Sequence, residues 1–334
     1  MHSEKKAFYT VFFLFVIGIF VAFLVSVCVG KYPISITEII EIVLGKNTKP
    51  MTARVFTNLR LPRTIMAIIA GIGLGIAGSV YQIVFKNPLA SPDIIGTAGG
   101  ANLGAAISIV LFSTSETVQV AAGAFWGGLL AVFAVLLLVK FTGNHSTSTY
   151  VLAGIIINAI TRTGIMILKY FADSENELAA MEYWEMGTFG NVTLSKLLSV
   201  FPMFLIGVCG LILLRRQIEL LALNDNEARS LGVRVVPIRI AILVLATLLV
   251  GSIVSITGLI SFVGLIAPHT SRLILKKNDS STIILSGLIG AFVLLCSDIL
   301  VRVMYTAELP ISILTTVIGV PILLYFLIKR SKRL

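Results

Sequence analysis

Four arginines in apolar surroundings carry the first chemical hints in this sequence. Arg60 and Arg63 stand three apart in LRLPR, residues 59–63, at the mouth of an apolar run, and Arg302 closes SDILVR, residues 297–302. Guanidinium groups at such positions reach head groups or pair with carboxylates, and Asp298 lies one helical turn from Arg302. The fourth, Arg162, shares one helical face with Asn158 and Lys169 inside the apolar run 149–171. A charge at that depth costs a few kcal/mol unless it meets water or a partner. Arg162 either pairs with Asp298 or lines a polar passage, and the sequence leaves both open.

Catalytic and nucleotide chemistry lack their residues. No GxxxxGK[ST] loop occurs, and the nearest string, LGKNT at residues 44–48, misses the first glycine and the hydroxyl after the lysine. Gly73, Gly75 and Gly78 spell GxGxxG, but inside an apolar helix rather than at a strand-to-helix turn, so they serve packing. His269 follows Pro268 with no second histidine nearby, which makes it a structural side chain rather than a metal ligand. Cys28, Cys209 and Cys296 fall in or beside apolar runs without ligand or disulfide spacing and read as small buried hydrophobes. With no catalytic cluster, the chain is not an enzyme, and uphill transport would borrow its energy from an ion gradient or from a partner.

The elements that position these residues follow from composition. In 334 residues, 57% are hydrophobic and 13% charged, against the roughly one quarter charged of soluble domains. Apolar intervals near 8–29, 64–84, 94–112, 118–139, 149–171, 193–214, 238–257, 259–275, 282–303 and 311–328 approach the roughly 17–25 residues of a crossing. They predict an all-α polytopic membrane protein of about ten spans in a single domain, residues 1–334. The eighth interval is interrupted by Pro268 and His269. Net charge is +10, but the basic residues sit at span ends without a nucleic-acid motif, and their distribution puts both termini on the cytoplasmic side. The connector 30–63 breaks that rule with six basic residues, and Pro62 is placed in the first turn of a helix starting there. Glycine pairs four apart, Gly71 with Gly75, Gly100 with Gly104 and Gly123 with Gly127, predict close helix contacts. The connector after 171 holds Asp173, Glu175, Glu177, Glu182 and Glu185 without a compensating base in the same segment, then Trp184, and suits a re-entrant cap.

One polar interval, Arg215 to Arg239, separates two strongly apolar runs. Leu220, Leu221, Leu223, Ala228 and Leu231 recur in it at roughly helical spacing, predicting a short amphipathic helix over about 219–233 outside the bilayer.

LRLPR at 59–63, Gln82 with FKNPLASPDIIG to Gly96, LAG at 152–154, WEMGTFGN at 184–191, ALNDNEARSLGV at 222–233, TGLISFVGLIAPH at 257–269, SDILVR at 297–302 and ELPI at 308–311 together resemble the FecCD-type permease subunits. These serve ABC importers of the type II class for iron-siderophore complexes, haem and cobalamin. The resemblance spans nearly the whole chain and implies a cobalamin-importer-permease-like fold of ten helices in the bacterial cytoplasmic membrane. It also implies a homodimer or close heterodimer with a pathway on its two-fold axis. A separate ATPase dimer inside would carry ATP and magnesium, and a periplasmic or lipoprotein binding protein outside would deliver cargo. This chain itself would bind no cofactor. Carried onto matching positions, the resemblance assigns Leu220, Leu221, Leu223, Asn224, Glu227, Ala228, Leu231 and Gly232 to ATPase coupling. It assigns Arg60, Arg63 and Arg302 to docking of the binding protein, which would account for the charge violation, and Thr147 and Ser148 to a cytoplasmic gate. Asn158 and Arg162 would line the pathway, and Arg162, unlike the small or apolar residues of cobalamin members, favours an anionic cargo such as a ferric siderophore over haem or cobalamin. An ion-coupled secondary transporter is the competing class, for which Asp298 is the one candidate coupling carboxylate.

Overall fold

The computed structural model describes residues 2–46, 49–112, 117–304 and 309–331. Asn47 and Thr48 of the LGKNT string and Glu308 of the ELPI motif lie outside these residues. Among the described residues the chain is helical throughout, as α1 (His2–Cys28), α2 (Ile36–Val43), α3 (Pro50–Arg54), α4 (Leu61–Val84), α5 (Thr97–Leu111), α6 (Thr117–Thr142), α7 (Thr147–Phe171), α8 (Glu177–Met186), α9 (Leu194–Leu213), α10 (Arg215–Leu221), α11 (Asp225–Ser230), α12 (Val235–Thr257), α13 (Val263–Leu275), α14 (Ser280–Met304) and α15 (Ile311–Ser331).

Helices occupy all ten expected intervals. Among the described residues, seven are long and apolar enough to cross a bilayer, namely α1, α4 with its preceding segment, α6, α7, α9, α12 and α14. Of the other three, α5 and α13 are shorter for reasons visible in the chain, and α15 runs for 21 residues. The start of the third interval is a 3-10 turn, Pro92–Ile95, ended by Gly96 at φ +83°. The start of the eighth is a non-helical stretch, Gly258 to Phe262, from which α13 runs for 13 residues through Pro268. Non-helical backbone at such depth is tolerated where protein surrounds it, and Ile260 and Thr257 are buried. Pro62 lies in the first turn of α4, as expected, but that turn is not a free helix start. Helix runs unbroken from Pro50 through a π-helical turn, Val55–Arg60, into α4, and the proline without its N–H follows directly on that widened turn.

α4 is the axis of the bundle, buried on nearly every side against α12, α13 and α14. An all-round apolar helix needs such a position. Its glycines set the spacing. A Cβ at Gly71 would lie 2.4 Å from Ala291 Cα, and one at Gly78 would lie 1.8 Å from the Gly264 carbonyl oxygen. α5 and α6 form a second close pair, in which Gly100 and Gly104 face Gly127 and Gly123. Backbone contact of this kind is how helices associate where lipid removes the hydrophobic driving force. On the periphery, α1 exposes Phe13, Leu14, Ile17 and Phe20, and Cys209, expected inside, is exposed on α9.

Candidate functional site

At one end of the bundle the three predicted arginines come together, two of them on a buried carboxylate. Asp298 is fully buried, with Arg63 Nε donating to its Oδ1 at 2.8 Å and Arg302 Nη2 at 3.0 Å from its Oδ2. Arg302 also donates to the Ser26 carbonyl at 2.9 Å, and Arg60 donates to those of Val27 and Cys28 at 3.0 and 2.7 Å and to that of Tyr32. The last carbonyls of α1, which have no partner within their own helix, are thus capped by cations. Gly30 permits the approach, since a Cβ there would stand 2.7 Å from Arg60 Nη2. The arginines are therefore sunk rather than displayed. They meet the surface as the floor of a depression of about 280 Å³ that Gly30, Lys31, Tyr32 and Leu59 also line. Lys31 is the exposed cation on its rim, a residue that the sequence offered only as one of the six violating charges. Asp298, taken by two guanidiniums, is not available to Arg162.

A second site is a cleft of about 490 Å³ between α5, α7 and α8, lined by Asp93, Asn102, Asn158, Thr161, Arg162, Lys169 and Glu185. The three residues expected on one face of α7 all point here. Asn158 Nδ2 donates to the Asp93 carbonyl at 2.6 Å. Lys169 pairs with Glu182 at 2.6 Å and Glu185 at 3.1 Å, so α8 finds on α7 the base that its own segment lacks. Arg162 is exposed and has no hydrogen bond or ion pair among the described residues. At about 1.5 Å per residue it stands roughly 22 Å from the start of α7, well inside a hydrocarbon layer of about 30 Å.

The opposite end carries the polar interval. It folds as two short helices, α10 and α11, rather than one helix over 219–233, because Asn224 is extended (φ −64°, ψ 148°) and starts α11 with its N–H donated to the Glu227 carboxylate at 3.1 Å. Gly232, at φ +84°, ends α11 with paired bonds, its own N–H to the Arg229 carbonyl and that of Val233 to the Ala228 carbonyl. The break re-sorts the apolar residues. Leu221 and Ala228 are buried and Leu220 is half-buried, holding the hairpin to the bundle, whereas Leu223 and Leu231 are 39% and 60% exposed. Glu219 accepts from the N–H and hydroxyl of Ser280, capping α14. Asp225 accepts from Arg239 Nη2 at 2.9 and 3.1 Å and from Lys86 Nζ at 3.2 Å. Burial pushes the Asp225 pKa up, but the hydrogen bond and charge of Arg239, with those of Lys86, outweigh it and hold the carboxyl below its ordinary value. Nearby, Ser146 caps α7 by accepting from the Thr149 N–H at 3.3 Å, which leaves Thr147 half-buried and Ser148 exposed in the first turn.

The site thus has two polar ends and a mid-depth polar cleft that holds the exposed Arg162, without a catalytic constellation among the described residues. A model of the FecCD transport family matches residues 18–329. The chain is similar to the molybdate import system permease protein MolB of Haemophilus influenzae, 35% identical over 92% of each chain. It is also similar to the hemin transport system permease protein HmuU of Yersinia pestis, 33% identical over 84% of each. A solved structure described as an inward-facing conformation of a metal-chelate type ABC transporter matches with a TM-score of 0.83 at 31% identity, covering 98% of this chain and 99% of that one. A match that begins within α1 and ends within α15 takes in both polar ends and the cleft: the chain is an ABC importer permease and belongs to the FecCD transport family.

Proposed function

We propose that this permease moves an anionic metal chelate, a ferric siderophore first, inward across the bacterial cytoplasmic membrane as a homodimer, with ATP hydrolysed by a separate subunit dimer. Both termini then lie in the cytoplasm, as ten crossings and the distribution of basic residues suggest. The α10–α11 hairpin is the ATPase seat, with Leu223 and Leu231 as its apolar contacts and Leu220, Leu221, Asn224, Glu227, Ala228 and Gly232 shaping it. Thr147 and Ser148 form the gate. Outside, a binding protein docks over the arginine-floored depression, where Arg60, Arg63 and Arg302 set a positive field and Lys31 meets its acidic groups directly. Complementary charge of this kind sets register and encounter rate more than affinity.

The cargo reading rests on Arg162, a mid-depth cation with no partner among the described residues. Facing lipid, it would cost about 2.5–3.5 kcal/mol even by the lowest scale. Facing a water-filled pathway completed by a second copy, it attracts anions. An oxyanion is the competing cargo, favoured by the similarity to MolB. The test is uptake into vesicles holding the permease, its ATPase and its binding protein, offered ferric siderophores, haem, cobalamin and molybdate in turn. ATP-dependent uptake of a ferric siderophore, reduced at least about tenfold by Arg162→Glu with the binding-protein step unchanged, is expected, since a reversed charge at this depth costs well over 1.4 kcal/mol. Uptake of cobalamin alone, or indifference to Arg162→Glu, overturns the cargo reading.

A further inference from the structure

Among the described arginines Arg239 alone is completely enclosed, and its guanidinium joins α11 to the connector before α7, elements that share no extensive packing. Nη2 holds both oxygens of Asp225 in α11, at 2.9 and 3.1 Å, while Nη1 donates to the His145 carbonyl at 2.9 Å. The plane of the group is steadied by Tyr150, whose ring centroid lies 5.9 Å from the guanidinium carbon. His145 stands two residues before Thr147, and the intervening Ser146 is the cap of α7. α11 itself packs chiefly on α10 and α12, and its other polar ties lead elsewhere: Lys86 to the connector after α4, and Glu219 of α10 to the start of α14.

A buried charge pair is a poor way to gain stability, because its desolvation cost rivals its attraction and an apolar filler does as well. What it supplies here is geometry. The guanidinium is planar and its donors form a rigid fork, so Asp225 and the His145 carbonyl cannot shift independently while both bonds hold. We propose that Asp225, Arg239 and the His145 carbonyl form a strut that passes displacement of the α10–α11 hairpin to the first turn of α7. The strut rests on the reading of the hairpin as the ATPase seat and of Thr147 and Ser148 as the gate, and it names the positioning residues between them.

The test uses the full importer in vesicles with two variants. Asp225→Asn keeps the shape of a side chain that is 31% exposed and removes its charge. Arg239→Lys offers a point donor that holds Asp225 or the carbonyl but not both. Cargo moved per ATP hydrolysed should fall at least about fivefold in each, the lower bound of ordinary site-to-site coupling, with the ATPase still co-purifying and still hydrolysing ATP. Spin labels on cysteines placed at Ser230 and Ser148 should both report ATP-dependent movement in the parent, and only the Ser230 label should in the variants. Should Arg239→Lys fail to fold, Asp225→Asn decides alone. Unchanged cargo per ATP, or a Ser148 label that still moves, refutes the strut. Loss of the ATPase from Asp225→Asn also refutes it, by making Asp225 a docking residue. Failure of the hairpin reading itself would show separately, as an ATPase that stays bound when Leu223 and Leu231 are charged.

Discussion

Asp298 shows how far a single residue's role depends on what the fold brings to it. Sequence spacing identifies Arg302 as a neighbour one turn away, but Arg63 arrives from another helix, 235 positions earlier in the chain. Two guanidiniums then share one buried carboxylate. Asp298→Ala should cost about 3–5 kcal/mol, because it leaves two cations facing each other without an anion. Thermal unfolding in detergent measures this, with Lys31→Ala at the exposed rim as a control expected within about 0.5 kcal/mol of the parent. Equal stability of the two variants would show that the arginines are satisfied without Asp298. The grouping of Arg60, Arg63 and Arg302 was legible in the motifs LRLPR and SDILVR that carry the family resemblance. Their burial was not, because it depends on the carbonyls at the end of α1, which carry no side-chain signal.

At the scale of elements, hydropathy located the helices and glycine spacing located their contacts, since both patterns are periodic and local. Gly104 is set so close to α6 that a methyl group would lie 2.0 Å from the Gly123 oxygen, and Gly104→Ala should cost about 1–3 kcal/mol through forced separation of the pair. Gly251, inside α12, has only Phe125 ring carbons near, at 3.6 and 3.8 Å. There the same substitution should be neutral or stabilise by up to about 1 kcal/mol, since it removes only glycine's backbone freedom. Denaturation of the two purified variants under the same conditions checks the order, and a reversal would mean that α5 and α6 are not in backbone contact. Where sequence reading failed, a junction was responsible. A single helical wheel over 219–233 puts Leu231 between Leu220 and Ala228 on one stripe, but the extended Asn224 turns the second half, so that Ala228 is buried and Leu231 is exposed. Likewise the acids of α8 looked uncompensated because Lys169 lies 13 and 16 residues before its two partners, across a turn.

For the whole molecule, the two ends differ in what they present. The hairpin end offers exposed leucines on a capped, anchored element, while the arginine end offers a shaped positive depression. Leu223→Asp combined with Leu231→Asp should therefore lower ATPase retention during purification at least about tenfold, the equivalent of 1.4 kcal/mol, with helix content unchanged by circular dichroism. Undiminished retention would place the ATPase seat elsewhere. Charging Leu221 would test something different, since that side chain is 1% exposed and its loss unfolds the hairpin before any partner is involved.

The caps on α1 also dictate an order of construction. The Ser26 carbonyl waits for Arg302, which lies 276 positions later and leaves the ribosome only when nearly all of the chain has been made. Until then only Arg60 can cap the end of the first helix, so a product truncated before residue 302 would insert its earlier helices with the Val27 and Cys28 carbonyls held and that of Ser26 still needing water.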